Sequence, residues 1–139
     1  MPVPAEYERA SDTFYKYLVD ARDTAGLSST HMAYTMTQGV FQVFRRRLSF
    51  PEAIDFANVL PVCLRALFVS DWDTAEPRKS FQDHAKMTEE VRSLRSEHNF
   101  SPDTAIHDVA LVLRRYVDEM AFDQVLAGFP EGAVQYWKT

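Results

Sequence analysis

Two arginine clusters hold the clearest chemical possibilities in this chain. Positions 43–50 read VFRRRLSF, and positions 112–119 read VLRRYVDE. A guanidinium is a permanent cation whose planar fork of donors matches carboxylates and phosphates. Arg45, Arg46, Arg114 and Arg115 therefore form a candidate anion-binding set, and Trp72 and Trp137 offer flat apolar faces for a ligand. Neighbouring helical residues point about 100° apart, so Arg45, Arg46 and Arg47 cannot all address one ligand. With Phe44 and Leu48 turned inward one turn apart, Arg45 and Arg46 are expected toward the rim. Cations there favour a helix C-terminus by about 0.3–1 kcal/mol each, with Glu52, Asp55, Asp118 or Asp123 available as ion-pair partners. An architectural role outweighs anion binding on these grounds.

Other reactive residues are dispersed. His31, His84, His98 and His107 are scattered, and only His107 has a carboxylate, Asp103, at helical spacing. No third ligand accompanies that pair, so no metal is expected. Glu89-Glu90 and Asp118-Glu119 are sequence neighbours whose side chains diverge on a helix; they read as caps and surface charge rather than a general acid/base dyad. No nucleophile elbow, phosphate-binding loop, dinucleotide fingerprint or zinc-protease motif occurs. No catalytic residue and no cofactor are assigned. The single cysteine, Cys63, sits in VLPVCLRALF and is expected to be a buried structural thiol.

The net charge of −5 disfavours non-specific binding to nucleic acid or anionic lipid. No segment reaches the roughly 18–20 apolar residues that span a bilayer, and the first residues do not resemble a signal peptide. A soluble cytoplasmic protein is expected, without a membrane partner. Its 139 residues, 46% hydrophobic, suffice for one domain with a substantial core.

The positioning elements recur. At an offset of 69 residues Val40 falls on Val109, Val43 on Val112, Arg45 and Arg46 on Arg114 and Arg115, and Pro61 on Pro130. Apolar classes follow, with Phe44 on Leu113, Phe56 on Val125 and Phe68 on Trp137. The spacing predicts two tandem copies, approximately 10–72 and 81–138, joined by a linker at 73–80. Each copy parses into about four helices. In the first, Ala10, Phe14, Tyr17, Leu18 and Ala21 form a stripe ended by Gly26. A second helix follows Ser28-Ser29-Thr30 with Ala33, Met36, Val40, Val43, Phe44 and Arg47 along one side. Ser49 and Glu52 form a capping box for a third helix bearing Ala53, Phe56, Ala57 and Leu60, and Pro61 suits the first position of a fourth. In the second copy the stripe is Phe81, Ala85, Thr88, Val91 and Leu94. Ser101-Pro102-Asp103 is a helix start, Asp118 a cap, and Pro130-Glu131 opens the last helix. The second helix is expected to be about one turn longer in the first copy. No segment alternates with period two, so the fold class is all-α, a compact pseudo-two-fold bundle.

The pattern of Ala33, Val40, FRRRL at 44–48, PEAIDFANVLP at 51–61, Arg65 and DW at 71–72 resembles a bacterial family, domain of unknown function 2267. In the second copy SPDTAIHDVALVL at 101–113, GFP at 128–130 and Trp137 are similar, and the resemblance covers the chain from about residue 14 onward. The chain departs from the family where a glutamine usually precedes Leu-Pro, with Val59 and Gly128 in its place, and where Val134 stands opposite Arg65. The resemblance implies a duplicated helical fold and brings no activity with it.

The favoured function is a non-catalytic bacterial module that binds a protein or small molecule, with a homodimer among the arrangements open to it. The alternative is an enzyme using Arg45, Arg46, Arg114 or Arg115 as anion clamps where the copies meet. A nucleic-acid binder is disfavoured by charge.

Overall fold

A computed structural model describes residues 3–95 and 99–139. His98 lies outside the described residues. Nine helices and no strand occur among the described residues: α1 (Ala5–Glu8), α2 (Ala10–Ala25), α3 (Thr30–Arg45), α4 (Phe50–Asn58), α5 (Val62–Val69), α6 (His84–Ser93), α7 (Ala105–Leu113), α8 (Glu119–Ala127) and α9 (Ala133–Tyr136). The fold is all-α, as the periodicity implies.

Local chemistry sets most boundaries. Gly26 ends α2 in the left-handed region at φ 69°, which a residue without Cβ adopts at little cost. The Ser29 hydroxyl accepts from the Met32 amide at 3.2 Å and starts α3. At α4 the capping box is complete: the Glu52 amide donates to Ser49 Oγ, and the Ser49 amide to Glu52 Oε1 at 2.8 Å. Asp118 caps α8 through the Ala121 amide.

Four boundaries differ from expectation. Pro61 is the residue before α5 rather than its first. The helix α7 begins at Ala105 rather than near Ser101, because Ser101 is buried and its amide and hydroxyl are both drawn to the Asn99 side chain. The last helix shrinks to four residues behind Gly132, which is held at φ 107°. Sixteen residues in α3 against nine in α7 make a difference nearer two turns than one.

The helix α3 is the axis of the molecule and packs against α2, α5, α6 and α7. Its expected stripe is buried, but so are Thr35, Thr37, Gln38, Phe41 and Arg45. Over most of its length α3 is enclosed, and its buried polar groups find partners, the Thr35 hydroxyl and Arg45 Nε excepted. Thr37 bonds to the Tyr17 hydroxyl at 2.9 Å, and Gln38 to Ser70. Gly39 lets α6 approach closely, since a Cβ there would meet Val91 Cγ1 at 3.2 Å. On α6 the inward residues are Met87 and Val91 rather than Ala85, which is exposed.

An aromatic core joins residues from both ends of the chain. Phe44 lies 4.8 Å from Phe56 between ring centroids, and Phe56 stacks on Trp137 at 5.5 Å. Phe41, Phe68 and Phe122 close the cluster with edge contacts. Burying each such ring contributes about 1.5–3 kcal/mol. Cys63 is only half-buried, contrary to expectation, with its thiol 3.6 Å from the Ala10 carbonyl oxygen.

Ser49→Ala removes one side of the α4 capping box. It is expected to lower unfolding free energy by about 1 kcal/mol, read as a lower urea midpoint at unchanged slope.

Candidate functional site

Three consecutive arginines at the end of α3 meet the segment that connects α5 to α6, and each does something different. Arg47 is fully buried and has all five N–H donors partnered. Nε donates to the Ser80 carbonyl, Nη1 to the Val43 carbonyl and Glu90 Oε2, and Nη2 to Gln82 Oε1 and, at 2.9 Å, Glu90 Oε1. Arg46 bridges Glu76 at 2.7 Å and Glu90 at 3.0 Å. The Arg46 carbonyl also receives the Lys79 amide. The connector is thereby stapled along the C-terminal end of α3.

Arg45 was expected at the rim and is instead 3% exposed. Its Nη1 donates to the carbonyls of Phe68 and Ser70 at 2.8 and 3.0 Å, which steadies the end of α5. Its Nε is buried and has no partner. No carboxylate among the described residues pairs with it. Burial pulls this guanidinium below the ordinary arginine value, while the nearby charge of Glu76 pushes the other way. The indole of Trp72 lies against it, with the guanidinium carbon 4.9 Å from the ring centroid. Asp71, at φ 51°, makes the left-handed turn that brings Trp72 there. Asp is among the residues that tolerate this region.

These residues border a recess of about 350 Å³ between the α3–α4 corner and the connector. Leu48, Phe50, Trp72 and Pro77 supply apolar wall; Arg45 and Arg78 reach it with no acidic partner among the described residues. Phe50 meets Trp72 edge-on at 5.5 Å and is still 53% exposed, and Ile54, one turn further along α4, is 58% exposed. The recess is thus continuous with an apolar strip on α4.

The other candidate residues lie elsewhere. Arg114 Nε and Nη2 donate to the Trp137 carbonyl, while Nη1 pairs with Asp123 at 3.0 Å. Of the acids expected to pair with the arginines, Asp123 alone does so. Arg115 is exposed and lines no part of the recess. Trp137 is wholly buried in the aromatic core, so it offers no face to a ligand. The structure brings Arg45, Arg46 and Trp72 together and leaves Arg114, Arg115 and Trp137 apart. Asp103 pairs with Arg92 and precedes α7, and His107 lies on α7 beside Asp108. No cluster suited to a metal occurs among the described residues.

Glu90 is the residue that sequence reasoning misplaced, since Glu89-Glu90 read as surface charge. A signal existed: Arg47 fell on the apolar stripe of α3, and a buried guanidinium needs acceptors for its donors, which a nearby acid can supply two at a time. Phe50 and Arg78 gave no such signal, because the recess exists only once the connector has folded back.

A family model described as "Uncharacterized conserved protein (DUF2267)" matches residues 14–136. No curated protein matches the chain.

Burial alone would raise the Glu90 carboxyl, but hydrogen bonds from Arg47 and Arg46 outweigh it and hold the group below the usual carboxylate range. A depressed folded-state value means that this stabilisation is complete above the unfolded value of about 4.3. It is lost as the pH falls below that value and through the folded one. Glu90→Gln is expected to cost about 3 kcal/mol at neutral pH and to flatten the acid limb of a stability–pH curve measured by urea unfolding.

Proposed function

The chain belongs to the DUF2267 family, and from that premise we propose that it is a non-catalytic helical module of the bacterial cytoplasm that captures a ligand in the Arg45–Trp72 recess. The observation that carries this reading is the recess itself. Apolar walls converge with two arginines that form no ion pair among the described residues, in a cavity at the lower end of the range of small-molecule sites. The strip formed by Phe50 and Ile54 extends the apolar surface outward. A lone, unpaired cysteine suits a reducing compartment, and no helix among the described residues is long and apolar enough to cross a membrane.

We read the scaffold of this site as two tandem copies about a pseudo-two-fold axis. The ranges of α4 and α8 differ by the 69-residue offset at both ends. At the same offset Arg45 donates to the Phe68 carbonyl and Arg114 to the Trp137 carbonyl. The cross-links are reciprocal: Arg47 of the first copy grips Glu90 on α6, and its positional equivalent Tyr116 grips Asp20 on α2.

A fragment library screened against ¹⁵N-labelled protein tests the reading. Hits are expected to shift the Trp72 indole and the Arg45 and Phe50 amides while the Trp137 indole stays in place. Trp72→Ala is expected to weaken those hits by about tenfold or more. Hits that map elsewhere, or none, would remove the reading.

A further inference from the structure

Resting on that reading, we infer that the recess is selective for a small carboxylate attached to a flat apolar group. The deciding feature is what the two buried arginines do with their donors. Arg47 has every N–H partnered, whereas Arg45 spends only Nη1. Its Nε is buried without a partner, and among the described residues Nη1 alone makes its protein hydrogen bonds, leaving Nη2 free. Nε–H and Nη2–H lie side by side on one edge of the guanidinium, and two parallel donors at that spacing match the two oxygens of a carboxylate. A buried donor without a partner carries the full cost of lost hydration, so an acceptor arriving there recovers it.

Charge sets the ligand at a single negative charge. The lining holds Arg45, Arg46 and Arg78 against Asp73 and Glu76, three cations to two anions. Both acids are engaged already: Glu76 is held by Arg46, and Asp73 accepts from the Ala75 amide. Phosphate dianions would meet those two carboxylates with no further cation to balance them. The apolar part of the ligand is placed by Phe50, which is 53% exposed, and by Trp72, which meets Phe50 edge-on and lies against the Arg45 guanidinium. Trp72 is only partly buried and sits on the connector, so a small shift admits the carboxylate to Nε.

The test compares 3-phenylpropionate with its uncharged amide, followed by the Trp72 indole resonance, with wholly buried Trp137 as the internal reference. The acid is expected to bind about tenfold more tightly than the amide or better, the effect of a charge-assisted hydrogen bond. Arg45→Lys keeps a cation and removes the fork; it is expected to abolish that preference while leaving amide binding in place. Arg78→Ala alters an exposed residue and therefore keeps the fold if Arg45→Lys does not; it is expected to weaken the acid about threefold and the amide not at all. A peptide ending in a free phenylalanine carboxylate separates a chain end from a free acid as the source. Tighter binding of either supports the inference. Equal binding of acid and amide would overturn it while sparing the recess as a binding site. If phenylphosphonate exceeds the carboxylate, the single-charge requirement falls. If neither acid nor amide binds and the fragment screen is also empty, both readings fall together.

Discussion

The bidentate pairing of Arg47 with Glu90 is the constraint around which the rest is arranged. A guanidinium removed from water must recover five hydrogen bonds or destabilise the fold by several kcal/mol. Here the five acceptors come from three places: α3 itself, the connector and α6. Meeting one side chain's requirements therefore fixes the path of the chain between α5 and α6. Arg46 repeats the device with Glu76 and shares Glu90, so the acid sits in a field of cations completed by Lys79. The recess beside Arg45 follows from this arrangement. Its back wall is the end of α3, and its front wall is a connector held down by the two arginines that follow.

The helices were legible from the residues because their signals are local. Gly26, Ser29, Ser49 with Glu52, and Asp118 each act within one turn, and each marks the boundary it should. Signals that tertiary structure outbids were misread. Ser101-Pro102-Asp103 has the composition of a helix start, but Asn99 claims Ser101. On α6 the expected stripe caught Val91 but wrongly included Ala85, which is exposed; with only Met87 and Val91 buried, the helix has little periodicity to read. Part of the candidate site was visible: Arg45, Arg46 and Trp72 stood out by type. What no pattern disclosed is which of the three arginines would be left with donors to spare. That depends on where the connector's carbonyls and carboxylates end up, and it is decided by contacts across more than twenty residues.

The comparison between Arg45 and Arg114 shows how one contact serves two ends. Both residues tie the end of one helix to the end of another by donating to its last carbonyls. Arg114 then spends its remaining nitrogen on Asp123 and lies against the ring of Phe122. Arg45 has an indole in the place of that phenyl ring and no acid. The same structural tie is closed off by an acid at Arg114 and left with an open edge at Arg45.

The position of Trp137 bears on how the protein reaches its native state during synthesis. Phe41, Phe44 and Phe56 are translated early, yet their shared partner is close to the last residue described. Tyr136, likewise late, supplies the hydroxyl that bonds the Val40 carbonyl, 96 positions away in the chain. Until those residues leave the ribosome, the nascent chain carries an aromatic surface with nothing to cover it, the condition under which chains associate wrongly or engage chaperones. A premature stop just before Trp137 would deprive Phe41, Phe44 and Phe56 of the ring that covers them.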